Sequence, residues 1–254
     1  MFVEDAEGLP GFPKPKLVGT VVAIDDVNGS IDVKRGKKQG APTASNFMPS
    51  ARVADERIRK ALQRLAQALI NDEGSLDTEF PAAWSLLRLR KSKFRSGASL
   101  VPVKNESASN RFIRLAPLLD GSYLVVQGPP GSGKTWALAR AVIECVIAGQ
   151  KVGLCAFKHE TLKSMVDAIV EALNDPKISA RLKSSSTNLK VMRKIERDEK
   201  PADETITVTE VENNPEVFDA IESNSHNVFA GTAWVFTDEK APQLDVIFID
   251  EAGQ

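Results

Sequence analysis

Only two cysteines and two histidines occur in this 254-residue chain, and tyrosine occurs once. Cys145 and Cys155 fall in apolar stretches, which suits small core residues rather than a disulfide. So few soft ligands, none of them clustered, argue against a zinc site. No apolar run approaches the ~18 residues that cross a bilayer, and the opening MFVEDAEGLP has no basic-then-apolar leader character. A cytoplasmic protein with no membrane partner is therefore expected. No internal repeat is visible. Net charge is close to balance at −1, yet it is unevenly spread. Residues 88–114 hold eight basic side chains (Arg88, Arg90, Lys91, Lys93, Arg95, Lys104, Arg111, Arg114) against the single acid Glu106. Residues 198–254 hold fourteen acids against two lysines. Such asymmetry bears on partners rather than on fold.

What is present centres on Gly128-Pro129-Pro130-Gly131-Ser132-Gly133-Lys134-Thr135, which fits G-x-x-x-x-G-K-[ST] at every position. Residues 123–127 (YLVVQ) read as a short buried strand before it. Residues 136–148 read as a helix apolar almost all round, with Arg140 and Glu144 as its polar stripe. In that setting the glycines let backbone N–H groups converge on an anion, and the helix N-terminus adds positive partial charge. Lys134 would reach the β- and γ-phosphates of ATP and the Thr135 hydroxyl would ligate Mg²⁺.

Around this centre the chain reads as an α/β protein with three parts. Residues 1–48 form a small β module, whose hairpin joins 17–24 to 30–34 through an Asn28-Gly29 turn. Residues 49–120 form a helical stalk and basic linker. Its first helix spans 51–70 with Ser50 as N-cap and Ile58, Ala61, Leu62, Leu65 and Leu69 on one face. A second helix starts at Pro81 and continues into the basic stretch, and a short helix covers 110–119. Residues 121–254 alternate strand and helix, which predicts a parallel sheet flanked by helices. Strands are expected at 151–156, 227–231 and 245–249, an amphipathic helix at 161–173 and a short one at 215–223. The polar segment 174–214 reads as an insertion that leaves the sheet and returns.

The strand at 245–249 ends in Asp250-Glu251-Ala252-Gly253-Gln254. Carboxylates there stand at the sheet edge where ligands bind in parallel α/β folds. Asp250 is suited to hold Mg²⁺ and Glu251 to polarise an attacking water. Two acids after an apolar run are also what a strand end meeting solvent looks like. The basic run 88–114 reads either as a solvated face or as a phosphate-tracking surface, and Phe94 within it as a packing residue or a base stacker. His159 reads as a structural hydrogen bonder or a backbone contact. Trp136 and Trp234 read as core residues.

Together GPPGSGKT, GTAWVF (231–236) and DEAGQ resemble superfamily 1 helicases of the 5′→3′ branch, whose members include nonsense-mediated-decay and Okazaki-fragment-maturation enzymes. Bacterial nuclease–helicase fusions of the RecB type are among the proteins the chain resembles. The resemblance covers about 121–254. It implies a RecA-like P-loop NTPase domain and ATP hydrolysis driving movement on single-stranded DNA or RNA, with DNA ahead of RNA, DNA repair among the settings it suggests and a nuclease domain in the same parent chain as a partner it allows. It assigns catalytic roles to Lys134, Glu251 and Gln254, the last sensing the γ-phosphate. Metal ligation falls to Thr135 and Asp250. Nucleic-acid contacts fall to Phe157, Lys158, His159 and Thr232, with Arg90, Lys91, Lys93 and Arg95 added from the basic run. No glutamine lies between Gln67 and Gln127, so the family's adenine-reading residue has no counterpart.

The chain is further expected to be a fragment of the helicase core, binding nucleotide without turnover. In the family a later strand inserts between the one before the loop and the one before Asp250. A nucleotide-dependent switch or scaffold that does not translocate is the competing reading, and a small-molecule kinase a third.

Overall fold

The computed structural model describes residues 2–4, 16–25, 27–36, 48–49, 55–71, 76–195 and 208–252. They divide into two units, one up to Asp55 and one from Glu56. The first contains β1 (Phe2–Glu4), β2 (Lys16–Asp25), β3 (Ser30–Lys34) and β4 (Met48–Pro49), an antiparallel sheet of order β3-β2-β1-β4. Local chemistry sets the β2–β3 hairpin. Asp25 Oδ1 accepts from the backbone N–H groups of Val27 and Asn28, both at 3.0 Å, and Asn28 Nδ2 donates to Asp25 Oδ2 at 2.7 Å. These bonds, the Asn28 side chain's first, hold the Asp25 carboxyl below its ordinary range. Gly29 supplies the positive φ of 61° that the turn demands. Ser50, expected as a helix cap, lies outside the described residues.

The second unit opens with α1 (Glu56–Asn71), α2 (Leu76–Glu79) and α3 (Pro81–Leu87). On α1 only Ala68 is buried, against Trp84, Leu65 and Phe80, while Leu62 and Leu69 of the expected apolar face are exposed. The helix from Pro81 stops at Leu87 rather than entering the basic stretch: Leu89 turns to φ 50° and the chain goes irregular. After α4 (Ala108–Leu115) and a 3₁₀ turn come α5 (Lys134–Ile147), β5 (Val152–Cys155), α6 (His159–Ala172) and α7 (Pro176–Ser184). Then follow β6 (Val191–Lys194), β7 (Val208–Val211), α8 (Asn214–Glu222), β8 (Val228–Gly231), α9 (Ala233–Phe236) and β9 (Val246–Ile249).

Five parallel strands in the order β7-β6-β8-β5-β9 form the sheet. Alternation along the strands buries both faces. Val191, Val228 and Ala230 pack with α5 and α6, whereas Met192 and Phe229 pack with α8 and Val235 of α9. Helix α6 contributes Leu162, Met165, Val166, Ile169 and Ala172, the inward stripe its spacing predicts. Helix α5 ends in a Schellman turn: Gln150 N–H bonds Cys145 O at 3.0 Å and Gly149 N–H bonds Val146 O at 2.9 Å, with Gly149 at φ 79°. Cys145 and Cys155 are buried free thiols, pushed up by burial to about 12 and about 11.

Two expectations are corrected here. The described residues within 174–214 do not form a separate excursion; they supply α7, β6 and β7, two of the sheet's five strands. The polar letters that suggested an excursion include Arg193 and Glu210, register partners on β6 and β7. Their guanidinium and carboxylate meet at 2.6 and 2.9 Å and are almost wholly buried. Residues 123–127, expected as a buried strand, carry no ladder, and Val125 and Val126 are 71% and 44% exposed. Strand β9 pairs with β5 on one edge only, and no other described strand borders it, so no ladder among the described strands joins 123–127 to the sheet.

Candidate functional site

The 128–135 loop has its shape from three glycines. A Cβ on Gly128 would come within 2.6 Å of Ser132 Oγ. Gly131 and Gly133 sit at φ 76° and 81°, where an L side chain is strained. Ser132 N–H closes the turn on Pro129 O at 3.2 Å, and Ala137 N–H makes an early helical bond to Gly133 O at 2.9 Å. Pro130 and Thr135 are exposed. Lys134 folds back across the loop and donates Nζ to Gly128 O at 2.7 Å and Pro129 O at 3.0 Å. An anion settling on the loop would therefore take over an ammonium group already held at its mouth.

Topology fixes what else stands near. Helix α5 and strand β5 share one core and are joined by the tight turn at Gly149, so they run antiparallel. The Gly133 end of α5 therefore faces the edge where β5, β8 and β9 finish. His159 starts the helix after β5, Thr232 follows β8 and Asp250 follows β9 at that edge. Asp250 N–H extends the ladder by bonding Cys155 O at 2.9 Å. Its Oδ1 accepts from Glu251 N–H at 3.0 Å, and Glu251, at φ 54°, turns the chain off the sheet with its side chain exposed. Phe248, two residues before Asp250, anchors β9 by an edge-to-face contact with Phe112 at 6.1 Å between centroids. Gln254 lies outside the described residues.

Of the residues matched to nucleic-acid contacts, Phe157 is 63% exposed and Lys158 is exposed as the N-cap of α6. His159 is half-buried. Thr232 is 8% exposed and starts α9, its carbonyl accepting from Val235 N–H at 2.9 Å, so it offers little surface.

The basic run is better balanced than its letters suggest. Arg90 makes a two-pronged pair with Asp77, and Lys93 and Arg95 lie 3.8 and 3.9 Å from Asp120. Lys91 is exposed. Arg114 grips Glu106 at 2.6 and 2.9 Å with Arg111 at 3.7 Å, and the Arg114 hydrogen bond above all holds the Glu106 carboxyl down to about 2. Arg88 sits 4.5 Å over the Trp84 ring. Phe94 bridges Leu119, Asp120 N–H bonds Lys93 O at 3.0 Å and Lys93 N–H bonds Ser122 Oγ at 3.1 Å, stapling the run to the segment that leads into the loop.

One feature was not anticipated: Trp136, expected in the core, is 48% exposed beneath the guanidinium of Arg140. Its one signal in the sequence is the i,i+4 spacing of the pair. Among the described residues no helix is long and apolar enough to cross a membrane, and no three His, Cys, Asp or Glu side chains converge as metal ligands. Comparison with protein-family models, curated proteins and solved structures finds no match to this chain.

Proposed function

We propose that the 128–135 loop binds the polyphosphate of Mg·ATP, and that the protein is the ATP-binding part of a superfamily 1-type motor acting on single-stranded nucleic acid. The observation that carries the reading is the loop itself: glycines at positive φ, a helix N-terminus behind them, and Lys134 Nζ poised on two loop carbonyls. Asp250, directed to the same sheet edge, supports it. Thr135 and Asp250 offer the hard oxygen ligands that Mg²⁺ prefers, with phosphate oxygens and water completing its shell, and the ion would offset phosphate charge. Lys134 holds the terminal phosphates, Glu251 orients and deprotonates a water, and Gln254 reads the γ-phosphate. Phe157, Lys158 and His159, which follow β5 at that edge, are the residues this reading assigns to contact the nucleic-acid strand.

A second reading, a nucleotide-dependent switch without translocation, draws on the basic run: three of its four residues matched to nucleic acid, Arg90, Lys93 and Arg95, face carboxylates of this chain. The lack of a ladder between 123–127 and β9 supports binding without turnover by this chain, because an error near 1 Å in the placement of catalytic groups costs on the order of 10²-fold in rate. Calorimetry with Mg·ATP tests the binding step, and absence of binding refutes both readings. Steady-state hydrolysis measured with and without single-stranded DNA or RNA separates the rest. Stimulated turnover abolished by Glu251→Gln would overturn the expectation of a catalytically incomplete chain and favour the motor.

A further inference from the structure

The first turn of α5 carries a device that phosphate binding does not use. Trp136 follows Thr135 directly, and half of its surface is open to solvent although indoles of this size are usually buried. Arg140 lays its guanidinium 3.8 Å from the centre of the Trp136 ring and donates Nη1 to the Trp136 carbonyl at 3.3 Å. One face of the indole is thus covered and the ring is held in place. Helical side chains lean toward the N-terminus, which directs the ring toward the loop.

Trp136 also lines a groove between α4, α5 and α7, whose walls include Asn110, Ile113, Ile143 and Ile178. The charges along this groove are already committed. Arg181 of α7 forms a two-pronged pair with Glu144 of α5, and Asp175 caps α7 by accepting from Lys177 N–H at 2.9 Å. What the groove offers a ligand is a rigid π surface, an apolar floor and the exposed Asn110 amide.

Resting on the nucleotide-binding reading above, we propose that this groove takes the base of the bound nucleotide, and that it favours purines over pyrimidines while not separating adenine from guanine. Stacking on an aromatic surface accepts any base and grows with ring area. An Asn amide presents both an acceptor and donors, so by turning it serves the edge of either purine. Strong discrimination between two purines would need buried polar groups fixed in one pattern, and the groove's other polar groups are engaged elsewhere in the chain, Arg181 with Glu144, Arg140 with the Trp136 carbonyl and Asp175 with the Lys177 N–H.

The test is calorimetry on the whole chain with Mg·ADP, Mg·GDP, Mg·CDP and Mg·tripolyphosphate, repeated on Trp136→Leu and Trp136→Phe. ADP and GDP should bind within about threefold of each other and CDP about tenfold more weakly, the scale of one lost stacking contact. Trp136→Leu should weaken both purine nucleotides by about tenfold, bring them to the CDP level and leave tripolyphosphate unchanged, while Trp136→Phe restores most of the difference. The proposal falls if ADP and GDP differ by more than about tenfold, or if Trp136→Leu changes neither while tripolyphosphate still binds. If tripolyphosphate fails to bind the unaltered chain, the loop reading falls first and this proposal with it.

Discussion

Lys134→Ala separates a ligand-binding role from a structural one. In the chain as it stands, Lys134 Nζ makes bonds of 2.7 and 3.0 Å to the carbonyls of Gly128 and Pro129. Gly128 is partly exposed and Pro129 exposed, so water can replace the ammonium when it is removed. The net loss is then below about 1 kcal/mol, a shift of no more than ~4 °C in Tm for a unit of this size. Nucleotide binding is hit harder. A hydrogen bond to a charged group is worth about 1.5–3 kcal/mol, and the two carbonyl bonds given up on binding keep the net gain toward the lower part of that range. At about 1.4 kcal/mol per decade, affinity for Mg·ATP should fall roughly 10- to 30-fold. Calorimetry reads the affinity and differential scanning calorimetry the stability, with Lys163→Ala, which breaks only the exposed 3.0 Å pair with Asp167, as a control that alters neither. Equal affinity in Lys134→Ala and the parent would refute the reasoning. So would a loss of affinity accompanied by a large drop in Tm, since the lysine would then be holding the loop together rather than meeting phosphate.

Two further predictions concern buried and paired charges. Glu210→Gln should cost about 3–5 kcal/mol in urea unfolding, because it leaves Arg193 charged and buried, whereas Arg193→Met with Glu210→Leu should recover most of that loss; equal losses in single and double variants would show that the two do not act as a pair. The Glu106 carboxyl is held down to about 2 from an ordinary 4.5, so its contribution to stability is fully present above about pH 4.5 and disappears as pH falls toward 2. Thermal unfolding of the parent and Glu106→Gln should therefore differ by a constant amount between pH 7 and 5 and converge by pH 3 to 2, and a gap that persisted at pH 2 would remove the ion pair as its cause.

Whatever depended on a few neighbouring residues was legible in the sequence. The hairpin at Asn28-Gly29, the inward stripe of α6 and the glycines of the 128–135 loop each follow from local turn chemistry or helical spacing. The tertiary structure decided matters in which the partner lies far along the chain. Residues 191–194 and 208–211 carry Arg193 and Glu210 into the sheet because each charge meets the other across the β6–β7 register. The basic run loses much of its apparent excess to Asp77 and Asp120, acids outside its own stretch. Residues 123–127 have a strand's composition, but a strand exists only where another backbone offers a ladder, and none of the described strands does. Trp136 is the exception to this division: it lies at the surface with one face covered by Arg140, a partner only one turn away. An apolar letter records the tendency to be buried; what covers it is set by the assembled chain.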